Sequence, residues 1–122
     1  MSSKYRNKVV YYTSIQGDNP VKDFIDSLLN QQKIKIFNVF RIYQESGLMG
    51  IMPHTKHLAG SVLWEIKIDK NRILYVAQTK FSILVLHGFP KKKQKTPPKE
   101  IKTAYVRLKI WNKTHTPWQN HT

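Results

Sequence analysis

A chain of 122 residues can bury one core and is too short for two domains, and with 40% of its residues hydrophobic it reads as globular rather than disordered. Its 21 Lys and Arg against 7 Asp and Glu give a formal net charge of +14, beyond the magnitude of about 2–8 usual for a small soluble domain, so attraction to a polyanion or an acidic protein is expected. The absence of cysteine excludes a disulfide framework and thiolate-bound zinc, and the lack of a membrane-length apolar run or an apolar signal core gives the expectation of a cytoplasmic protein with no membrane partner.

The β-branched and aromatic run KVVYYT at 8–13 predicts a first strand. Asn19-Pro20 has the form of an N-cap followed by proline at the first helical position, and Val21, Phe24, Ile25, Leu28 and Leu29 recur at helical spacing, which predicts a helix over 20–30. A second helix is predicted over 31–46, with Ile36, Phe37, Phe40 and Tyr43 inward, Lys33, Lys35, Arg41 and Gln44 outward, and Gly47 as the stop. The two form a helical hairpin laid on one face of a sheet. Residues 47–60 are rich in turn formers and lack a period, so they read as a loop.

Three strands are then expected, over 63–68, 72–78 and 81–88. In the first, Trp64, Ile66 and Ile68 alternate with Glu65 and Lys67, which implies one buried face and one offered to solvent. The second and third are nearly continuous apolar runs, as central strands covered on both sides are. They empty into the lysine cluster KKKQK at 91–95. Thr96-Pro97-Pro98 can cap and start a last helix with Ile101, Tyr105, Leu108 and Trp111 as its inward stripe, and 114–122 reads as a frayed tail. The order β-α-α-β-β-β-α predicts an α+β domain over 1–113: a small, mostly antiparallel sheet with an N-terminal helical hairpin and a C-terminal helix. Leu28, Phe37, Trp64, Ile66, Leu84, Leu86 and Leu108 are expected to share one core.

The ordered set L-W-E-I-K-I at 63–68, R-I-L-Y at 72–75 and I-L-V-L-H-G-F-P-K-K-K-Q-K-T-P at 83–97, followed by Glu100-Ile101, resembles the RelE/HigB superfamily of toxins from bacterial toxin–antitoxin pairs, particularly its HigB-like, phage-associated branch. The resemblance implies a RelE-like fold and an endoribonuclease that cuts mRNA in the ribosomal A site with no metal or cofactor. It also implies a cognate antitoxin, HigA-like with a helix-turn-helix domain. Arg72 matches the family arginine that opens a strand as phosphate ligand and catalytic residue. Lys91 and Lys92 match the basic group after the third strand, where many members carry arginine; lysine keeps the charge and loses the bidentate grip. Lys67 keeps one basic residue on the first strand. The C-terminal tyrosine that some members set against a base is absent at Thr96-Pro97.

Cleavage by the 2′-oxygen needs a proton acceptor, stabilisation of the growing negative charge and help for the departing 5′-oxygen. Arginine suits the second task because its planar fork grips two phosphate oxygens and stays ionised. Glu65 stands open between general base and ion-pair partner of Lys67 or Arg72. His87 stands open between proton relay and a strand-end histidine satisfied by the backbone. Lys93, Lys95 and Tyr75 are assigned to RNA contact. His54 and His57 lack a nearby carboxylate and are not read as a metal site. The rival reading is a noncatalytic basic RNA- or DNA-binding module, against which stand the missing K/R-G-F/Y-G/A-F signature and helix-turn-helix.

Overall fold

A computed structural model describes residues 5–115. Five strands form one sheet in the order β1-β5-β4-β3-β2: β1 (Lys8–Tyr11), β2 (Thr55–His57), β3 (Trp64–Ile68), β4 (Asn71–Thr79) and β5 (Ser82–Pro90). All neighbours are antiparallel except β1 and β5. Helices α1 (Pro20–Asp26) and α2 (Asn30–Ile51) cover one face and α3 (Pro98–Thr114) the other, which is the α+β arrangement expected.

Local chemistry sets the helix ends. The Asn19 side chain accepts from Lys22 N–H and Pro20 opens α1, as read from the sequence. The helix stops at Asp26 because the Ser27 hydroxyl takes the Phe24 carbonyl at 2.6 Å, and Leu29, expected on the buried stripe, is exposed. The regular part of α2 breaks at Gly47, whose φ of 72° favours glycine, and a further turn runs over 48–51. The expected loop over 47–60 therefore holds that turn, a 3₁₀ turn (Met52–His54) and β2, which pairs with β3 through Thr55 and Ile66. A three-residue edge strand is too short to show a period. Pro98 starts α3 as predicted; Thr114 ends it, and of the expected tail, 116–122 lie outside the described residues.

The sheet separates two cores where one was expected. Ile66, Tyr75, Ile83 and Val85 pack under α1 and α2 with Leu28 and Trp64, whereas Leu84, Leu86 and Leu108 pack under α3. Phe37 is 48% exposed, since Ile36, Val39, Phe40 and Tyr43 take the i, i+3, i+4, i+7 stripe and leave it on the shoulder. Leu84→Ala is therefore expected to cost about 2–5 kcal/mol, and Phe37→Ala less than about 1 kcal/mol. Denaturant midpoints check this; equal losses would contradict the two-sided packing.

Two details of β5 shape the α3 face. Pairing steps from Leu74–His87 to Tyr75–Val85, so Leu86 is the extra residue of a bulge, and both Leu86 and His87 turn toward α3. At Gly88 a Cβ would lie 2.4 Å from Cδ2 of Phe24, so only glycine lets α1 seat on the strand there.

Candidate active site

The site lies where β3, β4 and β5 end together. Arg72 is paired across the sheet with Lys67 on one side and Phe89 on the other, and the chain leaving β5 is tied back by Lys91 N–H to the Lys70 carbonyl at 2.7 Å. Glu65, paired with Leu74 farther in, is fully buried. Its Oε1 lies 3.4 Å from Arg72 Nε and 3.9 Å from Lys91 Nζ, and its Oε2 accepts from the Thr96 hydroxyl. One carboxylate thus holds the arginine and both ends of the lysine loop. A buried carboxylate is costly without such partners, which are the reason it is tolerated.

The guanidinium is fixed further by Nη1, which donates to the carbonyls of Asp69 at 2.6 Å and Asn71 at 2.9 Å. Asp69 adopts φ 54°, which Asp accepts more readily than most residues, and its carboxylate pairs with Lys35 at 2.6 Å rather than with the arginine. Arg72, Lys91, Lys92 and Lys93 line an open cleft of about 510 Å³ with Asp69, Lys70 and Gln94. Lys92, Lys93 and Lys95 are exposed.

His87 belongs to a second group, under α3. Its Nδ1 lies 3.0 Å from Arg107 Nη1, which also donates to the Leu86 carbonyl, and its Nε2 lies 2.9 Å from Glu100 Oε1. A guanidinium can only donate, so Nδ1 accepts and the proton on Nε2 is given to Glu100. Phe89 stacks on the ring at 5.4 Å. Burial pushes the His87 pKa below its ordinary value, opposed by the hydrogen bond to Glu100 and reinforced by the Arg107 charge. With a folded value below the unfolded one, this group's stabilisation is complete above about pH 6.5 and is lost as pH falls through the folded value. The thermal midpoint is expected to drop as pH falls below about 6.5, less so in His87→Gln; an unchanged drop in the variant would assign it to other groups.

Three expectations need correction. Glu65 does not face solvent: the lysine loop and α3 cover that face of β3, and its ion pairs are with Arg72 and Lys91, not Lys67. Lys67 is exposed and lines a separate hollow with Lys35, His54 and Asp69. Tyr75, assigned to RNA contact, is 2% exposed in the core under α2, where burial pushes its hydroxyl up to about 12 despite a hydrogen bond with Thr55.

The family model of the phage-derived Gp49-like proteins (DUF891) matches residues 23–109, from within α1 to the last turns of α3, and takes in every residue of the cleft. The chain belongs to this family. Gp49-like proteins are a RelE/HigB-like toxin family associated with toxin–antitoxin pairs, which implies an antitoxin partner. A comparison with curated proteins finds no match to the chain. Among the described residues of this Gp49-like protein, no helix is long and apolar enough to cross a membrane, and no three His, Cys, Asp or Glu side chains are grouped as metal ligands.

Thr96, Glu100 and Arg107 went unread as functional residues in the Gp49-like sequence. Thr96 looked like a helix cap, but Pro97 takes that place and the hydroxyl reaches Glu65 instead. Glu100, Ala104, Arg107 and Trp111 fall at i, i+4, i+7 and i+11, so helical spacing alone puts both charged residues on the sheet-facing line.

Proposed function

We propose that this Gp49-like protein is a HigB-like toxin and an endoribonuclease that cuts mRNA in the ribosomal A site, acting in the cytoplasm and neutralised by a HigA-like antitoxin with a helix-turn-helix domain. The observation that carries the reading is the Arg72 guanidinium, oriented by Glu65 and two main-chain carbonyls beside a cleft otherwise lined mainly by lysines. A phosphodiester placed there meets preorganised positive charge.

In this scheme the 2′-hydroxyl gives its proton to water as its oxygen attacks the adjacent phosphorus, the P–O2′ bond forms, the P–O5′ bond breaks and the departing 5′-oxygen takes up a proton from water, leaving a 2′,3′-cyclic phosphate and a 5′-hydroxyl. Arg72 and Lys91 stabilise the charge that gathers on the non-bridging oxygens. Lys92 supplies charge toward the leaving oxygen, and Lys93 and Lys95 hold the backbone. The full burial of Glu65 and its use on Arg72, Lys91 and Thr96 favour a positioning role over that of base. The chemistry asks nothing of a metal ion.

Induction of the chain in bacteria beside a folded Arg72→Ala copy tests the proposal. Growth arrest with mRNA ends phased to the codons, abolished by Arg72→Ala, is the expected result. Arrest with intact message would remove the nuclease and leave a basic binding module.

A further inference from the structure

The charge of the chain is unevenly placed. Residues 1–69 carry 9 Lys and Arg against 6 Asp and Glu, a formal +3, and residues 70–122 carry 12 against 1, a formal +11. On the helical hairpin, charges are matched by Lys22–Asp26, Arg41–Glu45 and the Lys35–Asp69 pair. The lone acid of the second part, Glu100, is turned inward onto His87 at 2.9 Å, so the outside of α3 keeps no counter-charge among the described residues.

Lys99, Lys102 and Lys109 occupy that outside and are exposed. At about 100° per residue they fall within an arc of about 80°, and Lys99 and Lys109 stand about 15 Å apart along the helix axis. Among the described residues, no acidic side chain pairs with any of the three. A cleft of about 640 Å³ lined by Lys92, Lys93, Pro97, Pro98, Lys99 and Glu100 joins this ridge to the lysine loop. Positive side chains therefore continue from the Arg72 cleft along the exposed side of α3, where Val106, 47% exposed, is the apolar residue between Lys102 and Lys109.

We propose that this ridge is a second polyanion-binding element, along which the sugar–phosphate backbone of structured RNA lies beyond the nucleotide held at Arg72. The identity of the polyanion rests on the function proposed above; the ridge itself rests on charge placement. Phosphate contacts of this kind fix position and affinity without reading sequence, and each contributes to the salt dependence of binding.

The test uses a 2′-O-methylated RNA hairpin, which has no 2′-hydroxyl to attack and so reports binding whether or not the protein cleaves. Dissociation constants are measured over a salt series for the full wild-type chain, for Lys99→Gln/Lys102→Gln/Lys109→Gln, and for the equal-charge control Lys22→Gln/Lys35→Gln/Lys56→Gln. In the ridge variant the slope of log Kd against log salt is expected to fall by about 2 and low-salt affinity by at least about ten-fold; in the control the slope should change by less than about 1. A ridge variant with the wild-type slope, or a control that falls as far, overturns the proposal. So does lost binding to poly-glutamate with the RNA slope intact, which would give the surface to an acidic protein. A ridge-dependent slope in a protein that cuts no RNA would uphold the ridge and remove the nuclease.

Discussion

Arg72→Lys is expected to lose nearly as much cleavage rate as Arg72→Ala, about 10²–10³-fold each. The guanidinium of Arg72 is set by the Nε ion pair with Glu65 and by Nη1 on two carbonyls, which leaves the two N–H groups of Nη2 to donate to phosphate oxygens. A lysine ammonium at this position is a single point charge, and it cannot satisfy the same carbonyls and carboxylate while gripping a phosphate. Lys91→Ala and Lys92→Ala should each lose less, about ten-fold, because neighbouring lysines of the same cleft supply similar charge. Lys67→Ala should lose least, since Lys67 is exposed and is not among the residues that line the cleft. Single-turnover rates on folded variants read the order directly, and a fully active Arg72→Lys would show that charge alone suffices.

Glu65→Ala is the substitution expected to weaken the fold most among the charged residues, by about 3 kcal/mol. Removing one member of a buried ion pair costs about 3–5 kcal/mol, because the partner is left uncompensated. Here the partners Arg72 and Lys91 keep 14% and 11% side-chain exposure, which relieves part of the cost and sets the estimate at the lower end. The Thr96 hydroxyl also loses its acceptor, so the loop over 91–96 loses its side-chain ties to the sheet at both ends and keeps only the backbone bond from Lys91 to Lys70. Glu65→Gln keeps the volume and an acceptor for Thr96, and should cost about half as much. Denaturant melts measure both. The pair of variants also separates the two roles of Glu65: a general base would make Glu65→Gln inactive at nearly full stability, whereas a positioning residue makes activity and stability decline together.

The strands of the second half were legible because their signals are local. Trp64, Ile66 and Ile68 alternate with polar neighbours, and the observed β3 buries the expected face. The other face of the same strand was not legible, since what covers Glu65 is a loop and a helix that come 30 residues later in the chain. In β4 and β5 the unbroken apolar runs announced central strands but hid which residues share a face. Tyr75 therefore reads as an RNA contact, though the ladder turns it into the core under α1 and α2. The bulge at Leu86, which brings His87 to Glu100 and Arg107, has no sequence period to reveal it. On α2 the difference between Phe37 and Val39 on the buried stripe is one of helical phase, and the larger side chain was wrongly favoured. Arg72 and the lysines were named from sequence; that one buried carboxylate gathers them was visible only in three dimensions.

The chemistry of the cut ends tests the central claim most directly. Message cleaved by the purified protein on programmed ribosomes should carry a 5′-hydroxyl on the downstream fragment and a 2′,3′-cyclic or 3′-phosphate on the upstream one, with cuts in phase with the codons. A downstream fragment that bears a 5′-phosphate, or the same cuts made by folded Arg72→Ala protein, would contradict attack by the 2′-oxygen at an Arg72-centred site.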